Sequence, residues 1–444
     1  MMMFLLSMIM LVLGCIAYKK NRGIDLLVLF CFIWTVVFAG ASLKLYGMRD
    51  YSFNTIALFT LGSLSFVIFA AVGRFGKYKQ YRIAHGIFSN SLDKSISINK
   101  RVLAILLIPV TLFTIYSMTR MLTLVAAGVP LGTIHAMYLG RGGEAFFTIL
   151  VLNQIHSKLV IPCIYCLAPI IVYYALTDFK KNWLIILIGV IDVTLYVVAT
   201  GTRVVAIFIF VDILLMLPFS KIVLSKKAFK KIKKIGITLA ILLIIALVYY
   251  TISRKGFETT TDSSLFSQVF GEVYKYFSLC IPLSDYWLSQ IDNLGIVTYG
   301  KMSFYGILSF IEWIFAQFFR TGTFAWLDIC KSLATELEVM QPIFADAKCN
   351  AFVTYLFYFY VDFGVVGVAV LSAIWGFISG NLSKKIRKNH NEATMLFYLL
   401  FAQTIAMSFS RWCLFDAPYF LAFFYMRLMF IKSKKKYDES EVKM

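Results

Sequence analysis

Apolar runs long enough to cross a lipid bilayer recur along all 444 residues of this chain, and short basic connectors separate them. A crossing helix needs about 20 predominantly apolar residues. Hydrophobic residues make up 60% of the chain and the mean hydropathy is +0.80, beyond the roughly 45–50% apolar content of a soluble domain. The fold class that follows is an all-α polytopic integral membrane protein.

The connectors orient the spans. The most basic stretches are Lys19 to Gly23, Arg74 to Arg101, Asp178 to Asn182, Lys221 to Ile235, Ser383 to Ala393 and Lys432 to Met444, and together they hold 28 of the 43 basic residues. Threaded through a membrane, all six fall on one side. Lys and Arg are retained on the cytoplasmic face, so the opposite loops are extracytoplasmic. The net charge of +20 therefore reports topology and contact with anionic lipid headgroups, and no nucleic-acid partner is expected.

About eleven spans are expected: Met1 to Tyr18, Ile24 to Leu43, Asn54 to Gly73, Val102 to Ala127, Lys158 to Thr177, Trp183 to Thr200, Val204 to Ser220, Gly236 to Ile252, Gly364 to Leu382, Thr394 to Cys413 and Pro418 to Ile431. This puts the N-terminus outside and the C-terminus inside. The three opening methionines carry no basic n-region or small-residue cleavage site, so the first span reads as retained. The organisation is then residues 1–252 as eight membrane helices, 253–348 as a large outer loop, and 349–444 as three more helices with a basic tail.

Two outer loops stand out. Gly128 to Ser157 contains His135, His156 and an apolar stretch from Ala145 to Leu152, read as loop residues and an interfacial segment. Ser253 to Lys348 carries 10 Asp or Glu against 7 Lys or Arg, reversing the charge balance of the connectors. Its apolar stretch from Phe304 to Phe319, interrupted by Glu312, is short for a span and reads as re-entrant or interfacial. Cys280, Cys330 and Cys349 lie in or beside this loop, where one disulfide is possible. Cys163 and Cys166 form a CxxC inside an apolar span, without the second pair that a zinc site needs.

Candidate chemistry gathers at the outer level. The turn Thr200-Gly201-Thr202-Arg203 places an arginine on the outer side, against the usual bias. A guanidinium grips phosphate oxygens through paired charge-assisted hydrogen bonds, although a snorkelling helix anchor explains the same residue. Arg254, Lys255 and Arg411 fall at the same level, so the four could cradle a lipid diphosphate. The run Asn350 to Gly364 is rich in aromatics, with Asn350 and Asp362 bracketing the rings. Such rings suit an interfacial belt, and flanked by polar groups they also suit sugars.

That asparagine and aromatic run ending in Asp362-Phe363-Gly364, with Gly367 following, resembles the corresponding segment of the Wzy-type polymerases, which join oligosaccharide repeat units. The turn Gly201 to Arg203 is similar to theirs as well, as is the plan of many spans with a large late outer loop. One feature departs from some members: position 152 after Arg141 and position 265 after Arg254 are both leucine, so the arginine-glycine spacing of their two outer loops is absent. The resemblance implies a GT-C-like, polymerase-ligase architecture in a bacterial cytoplasmic membrane. It implies glycosyl transfer from a glycan on undecaprenyl diphosphate to a lipid-linked repeat unit, outside the cell's interior. Its site residues would be Arg203, Arg254, Lys255 and Arg411 on the diphosphate, and Asn350 and Tyr355 on the glycan. Asp362 would be the first candidate for the base and Glu272 the second. A chain-length regulator and a flippase would be partners. No cofactor or metal is expected, since the early outer loop offers only Asp50, beside Arg49.

Two rivals remain. An O-antigen ligase of related plan carries a histidine in its large outer loop, and none of the four histidines lies between Ser253 and Lys348. A flippase or proton-coupled transporter would use Asp192 and Asp212 within spans six and seven, unless one of them pairs with Arg427 or both are neutral and hydrogen-bonded.

Overall fold

The computed structural model describes residues 1–21, 23–74, 96–138, 145–223, 265–319, 324–350, 352–388 and 391–432. In chain order the helices are α1 (Met2–Asn21), α2 (Leu26–Leu43), α3 (Phe53–Arg74), α4 (Lys100–Ala126), α5 (Leu131–Tyr138), α6 (Leu150–Thr177), α7 (Phe179–Thr200), α8 (Val204–Val223), α9 (Leu265–Ser278), α10 (Cys280–Leu294), α11 (Tyr305–Phe319), α12 (Asp328–Glu336), α13 (Tyr355–Lys388), α14 (Glu392–Ala406) and α15 (Ala417–Leu428). Seven of them, α1 to α4, α6, α7 and α13, are long and apolar enough to cross a membrane. The chain is an all-α membrane protein. Two short antiparallel strand pairs complete it: β1 (Ile96–Ile98) with β4 (Phe430–Lys432), and β2 (Gln341–Phe344) with β3 (Ala347–Cys349).

The seven coincide with the first six and the ninth of the expected spans. The fifth differs at its start, because α6 begins at Leu150 and continues through a π-helical turn at His156–Val160. His156 is therefore a buried residue of a long helix, not of a loop. The expected eighth span lies outside the described residues. Expected spans ten and eleven correspond to the shorter helices α14 and α15.

Charged residues gather at one end of the bundle. Asp25, at the N-terminus of α2, accepts from Asn21 at 3.1 Å and from Arg387 at 3.2 Å, and it contacts Arg74 as well. Four helix ends, from α1, α2, α3 and α13, meet on that one buried carboxylate. Nearby in sequence, Glu392 accepts from the Tyr174 hydroxyl at 2.6 Å, and Asn99 N–H donates to the Met429 carbonyl at 2.7 Å. The basic connectors flank these same helix ends.

The tightest packing runs between α3 and α13. Gly376 and Gly380 stand four apart on α13, and a β-carbon at either would come within 2.2 Å of the Phe66 or Ala70 carbonyl of α3. Without a hydrophobic force between helices in lipid, such small-residue stripes bring backbones close enough for dispersion contacts. Phe30, Phe66, Tyr355 and Trp375 fill the adjoining core, with Phe30 stacked on Phe66 at 3.8 Å.

Helix α13 is not straight. At Gly364 the backbone has φ 60° and ψ −148°, a conformation that a β-carbon disfavours, and Phe363 is also non-helical. The chain reverses there. Residues 355–362 fold back along the second arm, so that the Tyr355 ring lies 4.9 Å from Trp375 and Gly367 packs on the Phe359 carbonyl. The second arm, 365–388, is long enough at about 1.5 Å per residue to cross the hydrocarbon layer.

The aromatic run is thereby explained as core. Tyr355, Phe357, Tyr358 and Phe359 are all buried. Their rings pack on Phe30, Trp34, Trp375, Trp412 and Phe415, and none is presented as a sugar platform.

Opposite the charged end lies a lobe built from α9 to α12, the β2–β3 hairpin and the loop after α2. Asp285 accepts from Ser52 N–H at 2.9 Å and from the Ser52 and Thr55 hydroxyls, tying α10 to the start of α3. Leu45 N–H donates to the Tyr274 hydroxyl at 2.8 Å. Glu312, buried within α11, accepts from Lys331 at 2.7 Å and from Phe324 N–H at 2.6 Å. The three candidate cysteines here form no disulfide. Burial pushes the Cys280 thiol up to about 12 and the Cys330 thiol up to about 11.

Candidate functional site

Two arginines from distant connections lie within electrostatic reach of one phenol. Arg203 and Arg411 both act electrostatically on Tyr276 of α9. Burial raises the Tyr276 phenol above its ordinary value, and the two guanidiniums partly offset that rise. The hydroxyl thus stays protonated and able to donate. Its ring packs on Phe352 at 4.9 Å and on Phe409 at 5.8 Å.

Local chemistry fixes each arginine. Gly201 ends α7 with φ 69°, the left-handed C-cap for which glycine is favoured, and its N–H bonds to the Val197 carbonyl at 2.9 Å. Thr202 N–H bonds to the Thr200 hydroxyl at 3.3 Å. The Arg203 carbonyl then accepts from Ala206 N–H at 3.1 Å and so opens α8. Arg203 consequently stands at a helix N-terminus, where the macrodipole adds positive potential.

Arg411 lies in the irregular connector between α14 and α15. That connector is pinned from three sides. Trp34 donates to the Ser408 hydroxyl at 3.0 Å, Tyr355 N–H to the Ser408 carbonyl at 3.1 Å, and Trp412 to the Ser303 carbonyl at 2.7 Å. Arg411 pairs with Asp416 at 3.1 Å. Burial works against its charge, yet Asp416 and the phenols of Tyr358 and Tyr419 outweigh that cost and hold it firmly protonated. The side chain keeps 34% of its area accessible. Irregular backbone at membrane depth is tolerated where protein buries it.

Beneath the Gly201 turn runs a polar chain. The Tyr138 hydroxyl shares hydrogen bonds with His156 Nε2 at 2.7 Å and with the Tyr196 hydroxyl at 3.0 Å. His135 Nδ1 donates to the Thr200 carbonyl at 2.7 Å. Tyr165 stacks on Tyr419 at 4.5 Å and lies within electrostatic reach of Arg411 and Asp416. The sequence singled out neither this chain nor Tyr276. Only the π turn around His156 could have flagged it, since such bulges concentrate at functional sites, and that turn has no sequence signature.

The remaining candidates separate. Glu272 is half-buried on α9, one helical turn before Tyr276 and so on the same face. Asp362 is fully buried at the reversal in α13 and accepts from the Thr298 hydroxyl at 2.5 Å, Met302 N–H at 2.9 Å and Ser303 N–H at 2.8 Å. Both its oxygens are occupied in clamping the lobe to α13. Tyr355 is fully buried beside Trp34 and Trp375. Asn350 donates to the Glu338 carbonyl at 2.6 Å, closing the base of the β2–β3 hairpin against the end of α12. Arg254 and Lys255 lie outside the described residues. Of the intramembrane acids, Asp192 accepts from the Thr111 and Thr114 hydroxyls, while Arg427 is exposed and forms no ion pair among the described residues.

No protein-family model matches the chain, and no curated protein or solved structure matches it.

Proposed function

We propose that this chain is a polymerase of lipid-linked oligosaccharides, resembling the Wzy type and working on the outer face of a bacterial cytoplasmic membrane. One observation carries the reading. Arg203 and Arg411, from connections far apart in the chain, lie within electrostatic reach of the same phenol at the end of the bundle opposite the basic connectors. The ligand that two such cations suit is anionic, and at a membrane boundary a prenyl diphosphate brings its phosphates to that depth.

The reaction asks little else of the protein. The acceptor hydroxyl gives its proton to a base, and its oxygen bonds to the anomeric carbon of the donor glycan. The bond from that carbon to the diphosphate oxygen breaks, and undecaprenyl diphosphate leaves with the bonding pair. Arg203, Arg411 and the α8 N-terminus stabilise the charge that develops on the leaving group. Tyr276, within electrostatic reach of both arginines, donates as well. Glu272, on the same face of α9, is better placed than Asp362 to take the proton, because Asp362 is committed to three donors.

The test is an electrophoretic glycan ladder from a deletion strain complemented with variants. Arg203→Ala and Arg411→Ala should yield single repeats on the outer surface, with the protein inserted normally. Long chains from both variants would refute the reading, and repeats stranded inside would indicate a flippase.

A further inference from the structure

Deep in the bundle, three buried acceptor oxygens lack a close donor among the described residues. Asp212, midway along α8, is fully buried, and among the described residues neither of its carboxylate oxygens has a donor at full hydrogen-bonding geometry. Gln403 of α14 is also fully buried, its amide lies beside that carboxylate, and its Oε1 is equally without a partner. Among the described residues no lysine or arginine pairs with Asp212, and Asp192 on the adjoining α7 turns to threonines of α4 instead.

The orientation of Gln403 is fixed by its other end. Gln403 Nε2 donates to the Tyr165 carbonyl at 3.1 Å. Pro169 lies four residues further along α6. Proline has no N–H and leaves the carbonyl four residues earlier without its helical donor. Tyr165 therefore takes one of the two Gln403 N–H groups, and the second N–H stays on the Asp212 side of the amide. The amide so offers the acid both that N–H and its unpartnered Oε1.

We propose that Asp212 and Gln403 form a proton-binding site, in which an Asp212 carboxyl O–H donates to Gln403 Oε1. One proton satisfies the pair and completes a chain from Asp212 through Gln403 to Tyr165. The site is also linked to Arg411 through backbone hydrogen bonds. The Gln403 carbonyl accepts from Met407 N–H, and the Met407 carbonyl accepts from Ser410 and Arg411 N–H groups. Loss of the proton puts an uncompensated charge under the connector that carries Arg411. The proton site does not depend on the proposed glycosyl transfer.

Infrared spectroscopy of the full-length protein in lipid at neutral pH tests it. The unmutated protein should show a protonated-carboxyl C=O stretch that Asp212→Asn removes. Gln403→Leu should shift the same band to higher frequency, since the acid loses its acceptor. Should Asp212→Asn fail to insert, the Gln403→Leu shift and labelling of Asp212 by an apolar carbodiimide in the unmutated protein decide the matter. A carboxyl band unchanged by both substitutions, or Asp212 labelled only after denaturation, would overturn the proposal.

Discussion

Trp34 donates its indole N–H to the hydroxyl of Ser408, 374 positions later in the chain, at 3.0 Å. The bond joins α2 to the connector that holds Arg411. Replacing Trp34 by Phe removes the donor and part of the ring packing, costing about 1–3 kcal/mol. Thermal unfolding in detergent should register that loss, and the Arg411 connector should become more susceptible to proteolysis.

Asp362 separates a structural carboxylate from a catalytic one. Asp362→Ala leaves two backbone donors and one hydroxyl without their acceptor, a cost on the order of 3 kcal/mol or more. The expected result is a fall in folded, inserted protein, measured by size-exclusion yield and melting temperature. An Asp362→Ala protein of normal stability that makes only single repeats would restore this residue as the base.

For the arginines the expected pattern is the reverse. Arg203→Ala and Arg411→Ala should lower polymerisation by about 10²–10³-fold, read as chain length in the glycan ladder. Arg203→Lys should recover only part of it, because an ammonium lacks the planar fork.

The glycine stripe on α13 gives a packing test. Gly376→Val or Gly380→Val places side-chain carbon against the Phe66 or Ala70 carbonyl. Overpacking of that kind costs about 1–3 kcal/mol, and a lowered melting temperature for either variant is the measurement.

Tyr276 supplies a pH dependence with a definite sign. Its phenol is raised from the ordinary value of 10.0, with burial as the main cause. A raised value favours the protonated form in the fold. Its contribution is therefore constant below pH 10 and is lost as pH rises through and beyond the ordinary value. Melting temperature followed into the alkaline range should fall less steeply in Tyr276→Phe than in the unmutated protein.

Hydropathy alone made the long helices legible, because each of the seven carries its own uninterrupted apolar window. The expected start of the ninth span at Gly364 corresponds to the true reversal in α13. What the sequence hid was the arm before it. Residues 355–362 look like an exposed aromatic belt, since periodicity records which residues are apolar but not what covers them. The same limit applies to Asp362, whose place beside Phe363-Gly364 suggested chemistry. Its partners, Met302 and Ser303, are distant in sequence and only folding brings them near. For Arg203 and Arg411 the sequence offered their place in connectors between helices, whereas their electrostatic link to Tyr276 depends on how α9 lies across the bundle.

The pairing of Ile96–Ile98 with Phe430–Lys432 carries a consequence for biogenesis. The first strand leaves the ribosome before α4, but its partner emerges only after Leu428. That edge stays open through most of translation, with α4 to α15 threaded between the two halves of one seam. Final closure is thus a post-insertion event, and the bundle is sealed by a late-made segment lying among the charged helix ends.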